Sequence, residues 1–367
     1  MSSIADTKTD KPRSAYWDNI KGLLIALVVF AHCIYAFTGK PVNHYIVGCI
    51  YFFHMPAFVF VSGFFSKSKN ASGAASLVRL LAAYVLLTAV HTVMALAAGK
   101  SPHIITPYYS AWYLLAIIIW RLVTPYFAKI KWIIPIFIAV SLLAGFWPAI
   151  DNRFALARLI GFYPFFLAGY FLSAESSEKL INTGHLKKLL IAAAALAAAA
   201  VIAFFSVRKL GVGLGDLLFK AYGDGIAKHF VGRIAVFAAA SLCIAAILLL
   251  SVKFHIPILT KAGKNSLAIY LIHRPLTLIL NRFLAPLSAP MQLAAAAVFT
   301  VLSLLLLGSD FVSGILDSIL SFFTDAFMLS DGGSKRKRII GRIVACLLVF
   351  ALLAAPLARY AINFFLK

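Results

Sequence analysis

A chain of 367 residues is 62% hydrophobic and carries 34 Lys plus Arg against 12 Asp plus Glu, a formal charge of +22. Its mean hydropathy of +0.95 exceeds what a soluble core of this length needs, which excludes an ordinary water-soluble enzyme. The cations fall mostly in short connections between apolar runs, where positive-inside retention and anionic lipid headgroups account for them. Nucleic acid is therefore not indicated, and an anionic ligand such as a coenzyme phosphate is the other use.

Runs of Leu, Ile, Ala and Phe roughly 20 residues long, without strand alternation, read as transmembrane helices. In chain order they are predicted at 17–38, 43–65, 76–98, 111–128, 131–149, 154–173, 187–205, 230–252, 263–284, 290–308 and 340–365. The fold class is all-α: a polytopic bundle of ten core helices plus an eleventh. A cytoplasmic tail (1–15) precedes a membrane domain (16–308), then an amphipathic and basic linker (309–338) and the extra C-terminal span (339–367). The first run is too long for a signal peptide and lacks a small-residue cleavage site, so it stays as helix 1.

Basic clusters fall on alternate connections: Lys8, Lys11 and Arg13; Lys67, Lys69 and Arg79; Arg121, Lys129 and Lys131; Lys179, Lys187 and Lys188; Lys253, Lys261 and Lys264; and KRKR at 335–338. That alternation puts the N-terminus in the cytoplasm. The 206–233 connection disobeys, holding Arg208, Lys209, Lys220, Lys228 and Arg233, together with Gly211, Gly213, Gly215, Gly223 and Gly225, on the expected outside. It reads either as a translocated loop or as a re-entrant structure beside a site. After helix 10, DFVSGILDSILSFFTDAFM places Asp310 and Asp317 on one face, as in a helix lying at the inner interface. The four cysteines, Cys33, Cys49, Cys243 and Cys346, show neither metal spacing nor a disulfide framework. The sequon at Asn70 lies on the expected inside, and no internal repeat of the kind found in many transporters is visible.

Helix 1 opens YWDNIKGLLIALVVFAHC, residues 16–33. At 100° and 1.5 Å per residue, the eleven positions from Lys21 to His32 return to within roughly 20° of one direction, about 16 Å along the axis. Asp18 lies near the same stripe. One polar line thus faces the bundle interior, and an ionisable group inside a span is by default a functional residue. Snorkelling accounts for Lys21 alone, but not for His32. In GKNSLAIYLIHRPLT, Ser266, Tyr270, His273 and Thr277 share a second face, either a packing seam or a site wall. In YFFHMPAFVFVSGFF, Pro56 removes a backbone donor beside His54 and bends the helix, which makes His54 either part of a pocket wall or a satisfied interior histidine. Tyr108, Tyr109, Trp112 and Tyr113 form an outer aromatic belt or a platform for a sugar ring. GxSxG, HExxH, P-loop and CxxC motifs are missing, and intramembrane carboxylates are too few for a proton-coupled pump. Imidazole chemistry in a lipid-embedded pocket remains.

YWDNIKGLLIALVVFAHC, FFHMPAFVFVSGFF, AWYLLAIIIWRL, GFYPFFLAGYFL and SLAIYLIH, in that order, resemble the acyltransferase 3 family of polytopic membrane acyltransferases, in the branch similar to fucose 4-O-acetylases. The resemblance covers about residues 16–280. It implies ten core helices in a bacterial inner membrane. The implied reaction is transfer of an acyl group, usually acetyl from cytoplasmic acetyl-CoA, to a hydroxyl of an extracytoplasmic carbohydrate. No permanent cofactor and no metal are implied, and acyl-CoA is the co-substrate. The family's helix 1 mark is a basic residue, usually Arg, followed after ten residues by His; here Lys21 replaces the Arg and loses its bidentate fork. On this resemblance His32 is the catalytic base or acyl carrier, and Lys21 and Arg79 meet donor phosphates. Asp18, His54, Ser62, Trp112, Tyr270 and His273 serve the acceptor pocket. The rival reading is a non-enzymatic exporter or flippase of glycan or lipid.

Overall fold

The computed structural model describes residues 14–68, 73–102, 105–108, 110–210 and 217–327. Its described elements are helical: α1 Ala15–Ile34, α2 Pro41–Tyr51, α3 His54–Phe65, α4 Ala74–Ala97, α5 Trp112–Phe127, α6 Ile133–Ala144 and α7 Leu156–Phe171. There follow α8 Ala174–Asn182, α9 His185–Leu210, α10 Ile226–Leu250, α11 Pro257–Lys264, α12 Ser266–Leu284, α13 Ala289–Leu306 and α14 Asp310–Phe327. Eight segments are long and apolar enough to cross a membrane, with α2 and α3 counted as one, and α5 and α6 are shorter apolar helices. Together they match the ten expected core helices. The expected spans at 340–365, the KRKR cluster, the first basic cluster and the Asn70 sequon lie outside the described residues.

The α1 helix forms the centre of the bundle. Leu24, Ile25, Val29, Cys33 and Ile34 are fully buried, and α1 packs on α11, α12 and α13. Its first turns are tied down by polar side chains. Tyr16 donates to the Leu248 carbonyl at 2.5 Å. The Asn19 amide donates to the carbonyls of Val252 (3.2 Å) and Phe254 (2.9 Å) and accepts from Thr260. By contrast Leu186, Leu189, Val201 and Phe204 on α9 are exposed, as suits a face turned to lipid tails.

Lipid is as apolar as leucine, so helices in a membrane associate through close packing rather than apolar burial. The α3–α7 pair shows the device. A Cβ added to Gly63 would overlap the backbone oxygen of Phe166, and one added to Gly169 would overlap that of Phe60. Each helix thus lets the other's backbone in. Gly22 and Gly263 make the same arrangement between α1 and α11, against Leu259 and Asp18.

The expected second span is not continuous. The chain breaks at Phe52 and Phe53, and α3 restarts at His54. Pro56 then lies in the first turn, where a missing N–H costs no helical bond, so it starts a helix rather than bending one. The anomalous connection also resolves. Leu217, Leu218 and Tyr222 are buried, so the described end of that loop is packed into the bundle. Arg233 holds it there: its guanidinium, 2% exposed, donates to the carbonyls of Leu217 (2.6 Å), Ser141 (2.5 Å) and Lys220.

Candidate active site

A cavity of about 190 Å³ opens beside the C-terminal end of α1, lined by Val28, His32, Tyr35, Tyr51, His54, Met55, Ser110, Trp112, Arg158, Phe162, Phe219, Tyr270 and Arg274. Its walls come from α1, the α2–α3 break, the start of α5, α7, the 217–222 segment and α12. The break serves this site directly. Where α2 ends at Tyr51, the Ile50 carbonyl takes the Phe53 N–H at 3.3 Å and also accepts from His54 Nδ1 at 2.8 Å.

The central contact joins two spans. His32 Nδ1 lies 2.9 Å from His273 Nε2, and the two rings are nearly parallel, at 7°. His273 Nδ1 lies 2.9 Å from the Ile269 carbonyl oxygen. A carbonyl oxygen can only accept, so His273 Nδ1 carries the proton. In the neutral ring Nε2 is then an acceptor, which obliges His32 Nδ1 to donate to it. The consequence falls on the remaining nitrogen: His32 Nε2 carries no proton, on a residue that lines the cavity. A backbone carbonyl has fixed the tautomer of a base two rings away.

Around this pair the aromatic groups interlock. The Tyr270 hydroxyl donates to the Ser110 carbonyl, and its ring stands 5.4 Å from that of Tyr113. Tyr113 in turn shares a 2.5 Å hydrogen bond with Ser62. Arg274 Nη1 reaches the His32 carbonyl oxygen and Thr277 Oγ1, each at 3.4 Å. The Arg158 guanidinium lies over the rings of Phe219 (4.2 Å) and Trp112 (5.6 Å) and donates to Asn152 Oδ1 at 2.9 Å.

Of the residues expected at the site, His32, His54, Trp112 and Tyr270 line the cavity, and His273 supports His32 from behind. Ser62 is one layer back, reaching the cavity through Tyr113 and Tyr270. Asp18 does not line this cavity. It forms a 2.6 Å ion pair with Lys21 and lines a separate recess with His255, Lys261, Lys264 and Asp310. Fourteen residues separate it from His32, about 21 Å of helix. Arg79 lies away from the cavity, paired with Asp317 of α14. Tyr109 lies outside the described residues, whereas Tyr108 stacks on His91. Arg158 and Arg274 were not anticipated. Arg274 had the same sequence signal as His32, a charge within an apolar span.

An oriented imidazole with an unprotonated nitrogen, set among hydroxyls and guanidinium groups inside a helical bundle, has the chemical equipment for group transfer. Residues 14–309 match the family model described as an acyltransferase domain, that of the acyltransferase 3 family, and the chain belongs to this family. It is a membrane acyltransferase. No match was found among curated proteins or among solved structures.

Proposed function

We propose that the protein moves an acetyl group from acetyl-CoA, arriving from the cytoplasm, to a hydroxyl of an extracytoplasmic carbohydrate. The observation that carries this reading is the relay of Ile269 carbonyl, His273 and His32, which leaves His32 Nε2 as an unprotonated base at the cavity. The acceptor hydroxyl gives its proton to Nε2 as its oxygen attacks the thioester carbonyl carbon. The carbon–sulfur bond then breaks, and the CoA sulfur takes the proton back from Nε2. While His32 is charged, its Nδ1–H stays bonded to His273, which shares the positive charge. The Arg274 guanidinium faces the same cavity and offers positive charge for the oxyanion of the tetrahedral intermediate.

Orientation follows the charge pattern: the basic connections stay inside, so the start of α1 is cytoplasmic and His32 lies toward the outer leaflet. The membrane in question is a bacterial inner membrane on the family resemblance. Lys21 and Arg79 lie on the donor's side of entry, where point charges attract CoA phosphates. The test is to incubate purified protein with acetyl-labelled CoA and a glycan acceptor. Label should move to the glycan, or the thioester should hydrolyse slowly, in a manner that requires His32. An exporter or flippase would do neither, and equal consumption by His32→Ala protein would refute the assignment.

A further inference from the structure

His54 and His273 are built into their helices in the same way. Each brings Nδ1 to the carbonyl oxygen four residues earlier, that of Ile50 at 2.8 Å and that of Ile269 at 2.9 Å. The carbonyl can only accept, so in both neutral rings Nδ1 carries the proton and Nε2 is an acceptor. For His273 that acceptor is filled by His32. For His54 it is not. The ring is 2% exposed and lines the cavity, and among the described residues no donor is hydrogen-bonded to its Nε2. An acceptor kept unpaired inside a protein carries a desolvation cost, which a donor on a ligand removes.

The cavity therefore holds two imidazole nitrogens that receive, His32 Nε2 and His54 Nε2. Both rings neighbour Tyr51, whose centroid lies 6.4 Å from that of His32 and 4.9 Å from that of His54. A space of about 190 Å³ suits one sugar ring rather than an extended chain. Trp112, stacked on Phe162 at 5.1 Å, gives that ring an apolar wall for its C–H face. Only one hydroxyl of the sugar is the nucleophile, so the second nitrogen has a different task.

On the basis of the transferase reading above, we infer that the acceptor sugar engages the site through two hydroxyls. One gives its proton to His32 Nε2 and is acetylated, while a second on the same ring donates a hydrogen bond to His54 Nε2 and stays free. His54 is thus a positioning residue that selects a diol. Its bond to the second hydroxyl stops the sugar from turning in its plane, and so decides which hydroxyl reaches His32. A sugar deoxygenated at the second position leaves Nε2 unpaired, which is how a site built around a substrate hydroxyl rejects an analogue without it.

The test reads binding apart from chemistry. Full-length protein in detergent micelles, with no thioester present, is titrated by calorimetry with methyl galactoside, methyl glucoside and the monodeoxy analogues of each. For at least one parent glycoside, removing one particular hydroxyl should weaken binding to the native protein by about 10- to 100-fold. His54→Asn keeps an amide N–H for the Ile50 carbonyl but stops short of the Nε2 position. In that variant the parent and the same deoxy analogue should bind equally within about twofold. His54→Gln, whose amide oxygen reaches the Nε2 position, should restore part of the difference, and an unchanged melting temperature shows that both variants are folded. A deoxy penalty that persists in His54→Asn would overturn the inference, as would native protein that binds neither glycoside or distinguishes none of the hydroxyls. So would affinities unaltered by His54→Asn beside a fall in kcat, since His54 would then carry a proton in the chemistry. A penalty that depends on His54 in a protein that never consumes acetyl-CoA would instead sink the transferase reading and leave the diol site standing.

Discussion

The two ends of α1 treat positive charge differently. Toward its start, cations are matched with carboxylates: Lys21 with Asp18, Lys261 and Lys264 with Asp310, and Arg79 with Asp317. Toward its end, Arg274 meets carbonyl and hydroxyl oxygens, and Arg158 lies on aromatic rings and an amide oxygen. The pairs of Asp310 and Asp317 join helices, since both belong to α14 and their partners to α11 and α4, whereas Lys21–Asp18 lies within α1. The guanidinium groups of the second end face a cavity. Positive side chains are thus tied to carboxylates at one end of the helix and line a cavity at the other.

That contrast breaks most readily at the imidazole pair. His32→Ala should reduce acetyl transfer by about 10²–10⁴-fold, read as label on glycan at equal protein abundance. His273→Ala should cost roughly 10- to 100-fold, because His32 then loses the acceptor that fixes its tautomer. His273→Gln, whose amide oxygen can accept from His32 Nδ1, should recover part of this in kcat. Substituting Gly169 with Leu should destabilise the α3–α7 pair by about 1–3 kcal/mol, seen as a lower melting temperature in detergent with His54 pulled from the cavity wall.

At the start of α1 the expected effects are smaller. Lys21→Met should raise the KM for acetyl-CoA about threefold to tenfold, in line with one charge contact worth about 1 kcal/mol, with kcat within about twofold. Lys21→Arg should restore it, and a collapse in kcat would instead place Lys21 in the chemistry. The smallest effect concerns α14. Hydrogen bonds from Asn265 and Lys264 hold the Asp310 carboxyl below the usual carboxylate range. A depressed carboxyl contributes above its unfolded value, about 4, and its contribution fades as pH falls through the lower folded one. The protection factor of amide hydrogens at the start of α14, corrected for intrinsic exchange at each pH, should therefore be flat from neutral pH to about 4 and fall only below it; Asp310→Asn should lower it at neutral pH and cease to matter once the carboxyl is protonated.

Much of this was legible in the residues. Hydropathy alone located the ten apolar segments, because a membrane admits few other solutions. Helical spacing put Lys21 and His32 on one line and Tyr270 with His273 on another, and those two lines meet where the histidines touch. Angular position was readable while height was not decisive enough: Asp18 shares the stripe of His32 yet lies about 21 Å from it. Pro56 flagged an interruption, but which peptide yields depended on how α2 and α3 pack. The arginines carried the same signal, a charge within an apolar span, and were passed over. That Arg158 would lie over Phe219 depends on the return of the 217–222 segment, which has no local signature. The opposed glycines at 63 and 169 show the same limit, since each has meaning only through its partner.

The Arg233 fork has a consequence of its own. By gripping three backbone carbonyls it fixes the stretch of chain that presents Phe219, and so closes one side of the chamber beside the imidazole. Loosening that grip would leave the imidazole intact while changing what it activates. On the transfer reaction proposed above, the fault would then appear as thioester lost to water, an enzyme still busy but no longer productive.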